Sequence, residues 1–344
     1  MNLRSLQHYD YYGRLGSLNR ARVIRDRFNP FDTYSEEEFR ARFRLSKSSF
    51  RIFVDKLQFP SNSSDLRNNP IPLEIQFFIA LRFFATGSFQ LTDGDLFGVH
   101  QTSVGRIVHR MSSLIAALRP EFISFPHSDE RRHLMSDFFK ISGFPCVIGC
   151  IDGTHIRLLN RPSLPYSELY RNRKDYFSIN VQVLFDCYLK IRDIVARWYG
   201  SAHDARIFSS SCLRDKLEAL PRGVWILGDG GYPCQPYLIT PFINPSTESQ
   251  RRFNKSQKTT RITAERGIGC WKRRFPCIKT GLGVKLENCP NIIVATAVLH
   301  NFAIQQKEKT TVIETPDQFE DHEVNDDSRG NSVRNWIVAQ HFSS

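Results

Sequence analysis

Residues 147–159, VIGCIDGTHIRLL, begin as a buried β-strand and carry a carboxylate at their centre. This feature constrains the fold more than any other. An ionised side chain inside an apolar sheet is costly unless hydrogen bonds, a counter-charge or a metal ion offsets it. Either the chain turns at Asp152-Gly153, as Asp-Gly pairs commonly do, or other residues converge on Asp152 and make the charge useful.

The pattern around this segment argues for an α/β domain. Upstream, Ser35 and Glu38 stand at capping-box spacing before Phe39, Phe43, Leu45, Phe50, Phe53, Val54 and Leu57 at helical intervals. The polar run SNSSDLRNNP (61–70) interrupts, and IPLEIQFFIALRFFATGSF restarts an apolar helix. A short helix, a turn at Gly98-Val99 and a second helix from Gln101 or Thr102 follow, with Val104, Ile107, Val108 and Met111 as the buried stripe. That spacing predicts a helix-turn-helix over about residues 90–115. It leaves Gln101, Thr102, Arg106, His109 and Arg110 outward, where they could meet DNA, although two packed helices also simply need a turn.

After Pro145 the period changes. Residues 147–159 are strand-like, YFSINVQVLFD alternates at Ile179, Val181, Val183 and Phe185, and IRDIVARWYG is β-branched, with CYLK as a hairpin turn between the last two. A helical segment is expected over 204–220, a strand in GVWILGDGG, an apolar piece in YLITPFI, and helices over 261–275 and 291–305. Strands in a meander, a helix, another strand and terminal helices make a mixed sheet. The expected division is a basic arm (1–33), a helical region (34–140), an α/β domain (145–305) and an acidic, flexible tail (306–344).

Three carboxylates recur at informative places. Asp152 lies in the first strand, Asp229 follows VWIL of the fourth, and Glu265 sits in TRITAERGIGCWKRRF. If strands one and four are neighbours, both aspartates face the crevice at the strand ends. Taken singly, each has an ordinary explanation: an Asp-Gly turn, a GDGG loop, a first-turn helix acid. Together they would raise one another's pKa unless a cation joined them, and hard oxygen donors without paired His or Cys favour Mg²⁺ or Mn²⁺. Two such ions can activate a water or a 3′-hydroxyl against a phosphodiester.

Charge agrees with a polyanionic partner. Residues 1–304 hold 43 Lys/Arg against 27 Asp/Glu, a net +16, while Glu314–Asp327 carries seven carboxylates and no Lys or Arg. RNA, DNA and an acidic protein surface all remain open on charge alone. The eight cysteines include no C-x-x-C pair and lie mostly in apolar runs, which points to buried free thiols rather than zinc or disulfides. No run of 18 apolar residues and no signal-peptide h-region is present, so a membrane location is not expected; nucleus and cytoplasm are.

Five ordered segments, GCIDGTHIRL (149–158), WYGSAHDARIF (198–208), LGDGGYP (227–233), AERGIGCWKRRFPCI (264–278) and VLHNF (298–302), resemble those of the PIF/Harbinger transposase family, most closely its domesticated nucleases. YSEEEFRARFRLSKSSF and the helix-turn-helix resemble its N-terminal region, so the likeness covers about residues 34–305. It implies an RNase H-like fold, a DDE triad of Asp152, Asp229 and Glu265, and a divalent metal held by these and by Asp204. An N-cap of the helix beginning at Ala205 is an equally good role for Asp204, and the lone His203-Asp204 pair is poor support for an HD-type phosphohydrolase. The likeness also implies DNA as substrate and a separate Myb/SANT-like partner protein. Arg266, Lys272, Arg273 and Arg274 around Glu265 are the cations expected on DNA phosphates, a solvated helix face being the alternative. A metal-dependent endonuclease is the expected function; an active element's transposase, or a non-cleaving DNA-binding or protein-interaction module, stay open beside it.

Overall fold

The computed structural model describes residues 28–57, 71–309 and 327–343. The polar run 61–70 and most of the basic arm and of the acidic stretch lie outside the described residues.

The helical region comprises α1 (Glu36–Phe43), α2 (Lys47–Lys56), α3 (Leu73–Thr86), α4 (Gln90–Phe97), α5 (Gln101–Ala117) and α6 (Ser128–Ser142). The Ser35/Glu38 capping box is formed: Glu38 N–H donates to Ser35 Oγ at 3.3 Å and Ser35 N–H to Glu38 Oε2 at 3.0 Å. Between α4 and α5 the chain reverses at Gly98, whose φ of +62° is the left-handed region a side chain would disfavour. On α5 the expected stripe Val104, Ile107, Val108 and Met111 is buried, and Gln101, Thr102, Arg106, His109 and Arg110 are exposed.

The α/β part contains β1 (Val147–Arg157), β2 (Ser178–Phe185), β3 (Ile191–Tyr199), α7 (Asp204–Ser209), α8 (Cys212–Glu218), β4 (Trp225–Leu227), β5 (Leu238–Ile239), α9 (Glu248–Arg274), α10 (Cys289–Gln305) and α11 (Ser328–His341). The sheet order is β3-β2-β1-β4-β5. Strands β1, β2 and β3 pair antiparallel, while β1–β4 and β4–β5 are parallel. The sheet is therefore mixed, as the pattern predicts, and the first and fourth strands are neighbours. β2 is buried on both faces rather than alternating, because α7 and α8 cover its second side.

Helix α9 is longer than expected. It starts at Glu248, capped by Thr247 and Gln250 in a reciprocal box, and crosses the sheet against β1. Gly267 permits that approach, since a Cβ there would meet the Phe185 ring at 2.5 Å. Asn301 on α10 fixes the other side: it accepts from Ile191 N–H at 2.8 Å and donates to the carbonyls of Phe122 and Ile191. One hydrophobic core runs through the helical region and the sheet, with Phe53 against Phe302 (4.8 Å between ring centroids) at their junction.

The end of the chain differs from an extended acidic tail. Residues Ser328–His341 form a helix capped by Asp327, which buries Ile337 and Val338 and packs on α9 and β5. None of the eight cysteines is in a disulfide, and Cys212 is exposed rather than buried.

Candidate active site

Asp152 is not a turn residue. β1 continues through it to Arg157, and Asp152 pairs with Val183 of β2. On the other edge Cys150 is in register with Leu227, so two residues further on Asp152 runs beside Asp229, just past the end of β4. Asp229 turns over its glycines, accepting from Gly231 N–H at 3.1 Å. Asp152 likewise accepts from Gly153 N–H at 2.9 Å.

Glu265 belongs to the middle of α9, not to its first turn, so the helix dipole does not explain it. Its Oε1 meets Arg261 Nη1 at 3.0 Å, one turn earlier on the helix, and Arg261 is almost wholly buried. Asp204 opens α7 from the opposite side of β1. The cap position of that helix is held by His203, without a side-chain bond, so Asp204 is not the N-cap and must be explained otherwise. Its Oδ1 accepts from Asn180 Nδ2 at 2.9 Å and lies where a Cβ on Gly153 would be, 2.5 Å away. Gly153 lets a carboxylate settle against the strand next to Asp152, and this close approach is the reason the position lacks a side chain.

The four acids form one electrostatic unit. Burial pushes the Asp152 carboxyl well above the usual range, the charge of Asp229 pushes it further, Arg261 opposes, and Asp204 and Glu265 add to the rise. Asp204 is also raised, by burial first, with Asn180 opposing and Asp229 adding. Tyr232, from LGDGGYP, lies beneath them with its phenol pushed well up by burial and then by the charges of Asp204, Asp229 and Asp152. Among the described residues the Tyr232 hydroxyl, Asn180 Oδ1 and both ends of the Gln182 amide are buried without a hydrogen-bond partner.

This donor set fits a hard divalent cation. It is all oxygen, mutually repelling and ringed by unsatisfied polar groups. As they stand, no three His, Cys, Asp or Glu side chains among the described residues are gathered in a metal-holding arrangement. Glu265 faces Arg261 instead, and Asp204 faces Asn180.

The remaining expected residues divide. Arg266 is exposed on α9, whereas Lys272 donates to the His155 carbonyl at 3.0 Å and ties α9 to β1. Arg273 is half-buried, and Arg274, with 7% exposure, is not on a solvated face. His155 bonds Ser178 Oγ at 3.0 Å, and burial lowers its imidazole to about 4, with Lys272 and then Arg173 and Lys174 adding. Arg157 lies over the Tyr176 ring. His203 is exposed beside Asp204. Sequence reasoning missed Arg261, Asn180 and Tyr232 as parts of the site. Arg261 had a signal: a cation four residues before Glu265 on one helix face.

Residues 151–301, which hold all four acids, match the family described as DDE superfamily endonuclease. Across its length the chain is similar to the protein named "Putative nuclease HARBI1" of Rattus norvegicus (28% identity, 92% of this chain and 94% of the relative). The Homo sapiens protein of that name is 27% identical over the same shares. "Protein ALP1-like" of Arabidopsis thaliana is 28% identical over 79% of this chain and 72% of its own. The matched segment thus sits within a longer stretch of likeness that includes the N-terminal helices. No described helix is long and apolar enough to cross a membrane.

Proposed function

We propose that the protein is a metal-dependent DNA endonuclease of Harbinger-transposase descent, with an RNase H-like catalytic fold and a DDE triad of Asp152, Asp229 and Glu265. The observation that carries this reading is the β1–β4 register, which sets Asp152 beside Asp229 at the end of two parallel strands, with the Asp204 carboxylate packed against Gly153. Asp152 and Asp229 are the central ligands for Mg²⁺ or Mn²⁺, with Glu265 and Asp204 completing the set. When bound, the cation supplies Lewis acidity toward the scissile phosphodiester and the attacking water, two ions being needed to serve both the attacking and leaving oxygens.

The protein's own residues do the rest. Gly153 and Asn180 hold the Asp204 carboxylate against β1, and Tyr232 closes the floor. Arg261 keeps Glu265 at the site while offsetting part of the acid charge. The helix-turn-helix of α4 and α5 would present Gln101 and Thr102 to bases and Arg106 and Arg110 to phosphates, with Arg266 on the catalytic side. We further propose a Myb/SANT-like partner protein and a nuclear and cytoplasmic location.

The test is nicking of supercoiled plasmid with Mg²⁺ or Mn²⁺. Wild type should cut, and Asp152→Ala, Asp229→Ala and Glu265→Ala should each lose cutting while remaining folded. Equal activity in all four proteins would remove the proposal; DNA binding that survives EDTA, with no cutting under either metal, would leave a binding module.

A further inference from the structure

A second concave site lies away from the acids. Between α1 and the last turn of α9 is a cavity of about 350 Å³ walled by Arg40, Arg44, Arg273, Arg274 and Lys309, with Glu37 the single carboxylate among the described residues that line it. Arg274 follows Glu265 by nine residues, about two and a half helical turns, so it projects from the opposite face of α9 about 13 Å further along. A strand held over Glu265 does not lead into this cavity.

The cavity is built rather than incidental. Arg274 is 93% buried, and its neighbour Arg44 is pinned by Nη2 to the Ala85 carbonyl at 3.1 Å. The Nε groups of Arg44 and Arg273 are buried without a hydrogen-bond partner among the described residues. Glu308, behind the wall, is engaged by Arg40 Nε at 2.9 Å, by Ser46 N–H at 2.8 Å and by Ser49 Oγ at 2.6 Å. Burial lowers Arg274 to about 10 despite Glu308, and lowers Arg44 with Arg82 adding to it. Among the described residues, five cations therefore line this cavity, two of them largely withdrawn from water, against Glu37 in the wall and Glu36 and Glu308 on Arg40, an arrangement a polyvalent anion would relieve.

We propose that this cavity binds a small phosphate-bearing anion carrying at least two charges, of the polyphosphate class. Guanidinium forks match phosphate oxygens in pairs, and the volume lies at the small end of ligand sites. A duplex backbone is the poorer fit, because Arg274 is 93% buried. The proposal stands independently of DNA cleavage.

Titrating the full chain with tripolyphosphate, by calorimetry and by thermal unfolding, tests it. Wild type should bind and melt several degrees higher at saturating ligand. Arg273→Gln should weaken binding at least tenfold, and Lys309→Gln, at the exposed rim, should weaken it severalfold while leaving the ligand-free melting temperature unchanged. No binding by wild type, or equal affinity in both variants, would overturn the proposal. So would displacement of bound tripolyphosphate by short duplex DNA, which would assign the cavity to the nucleic-acid backbone.

Discussion

Arg261 is the internal cation of the acid cluster, and replacing it by Gln isolates what that charge does. Its side chain is 5% exposed, it contacts Glu265 at 3.0 Å, and it is the one group among those acting on Asp152 that opposes the rise caused by burial and by three other acids. Removing one member of a buried pair leaves the other charge uncompensated, at a cost of about 3–5 kcal/mol. For a chain of this size, that is a fall in melting temperature of roughly 4–7 °C without divalent metal. Asp152 and Asp204 have folded-state carboxyls raised above their unfolded values. Their contribution is therefore most favourable at low pH, where they are protonated, and is lost as pH rises through the raised values. The defect in Arg261→Gln should accordingly be largest at neutral pH, shrink toward pH 4, and be partly repaired by Mg²⁺. Differential scanning calorimetry across pH, with and without millimolar Mg²⁺, reads all three. An Arg261→Gln protein as stable as wild type at pH 7.5 in EDTA, with no greater response to Mg²⁺, would refute the reasoning.

Gly153→Ala should displace the Asp204 carboxylate, since the new Cβ would sit 2.5 Å from Oδ1, and loss of the Asn180 bond should cost about 1.5–3 kcal/mol; urea unfolding and plasmid nicking should both show the defect. Asp93, buried on α4, is raised to about 6 by burial, with the Ser88 hydroxyl opposing. Its charge therefore begins to cost stability as pH rises from about 4 through about 6, so Asp93→Asn should stabilise by up to about 3 kcal/mol at pH 7.5 and by almost nothing at pH 4, measured by chemical denaturation. Arg192 binds the fully buried Asp186 at 2.7 Å and also Glu130, so Arg192→Met should cost about 3–5 kcal/mol in a melting experiment.

The parts of the fold visible in sequence are those where local chemistry and tertiary structure agree. The Ser35 box, the α5 stripe and the three strands before Asp204 each follow from their own residues. The first half of α9 was hidden because RRFNKSQKTT is polar; its buried Asn254, Gln257 and Thr260 side chains make hydrogen bonds to neighbouring backbone, Gln257 through its Nε2 alone. Only the Thr247/Gln250 box marked its start. Helix α11 was hidden by the acidic stretch before it.

At the site, the order of Asp152, Asp229 and Glu265 pointed to a shared strand end, and the β1–β4 register brings the first two side by side. The place of Asp204 depended on Gly153 and Asn180, a contact across two strands that spacing does not reveal. Arg274 was expected on DNA phosphates from a basic helix face, but it is 93% buried and lines the cavity between α1 and the last turn of α9.

The central claim is that these acids hold a divalent cation. Titration of Mn²⁺ into metal-free wild type and Asp152→Asn, followed by the electron paramagnetic resonance of free Mn²⁺, tests it without reference to cleavage. Wild type should bind Mn²⁺ saturably and Asp152→Asn at least tenfold more weakly; the same binding curve for both proteins would mean that Asp152 does not hold the ion.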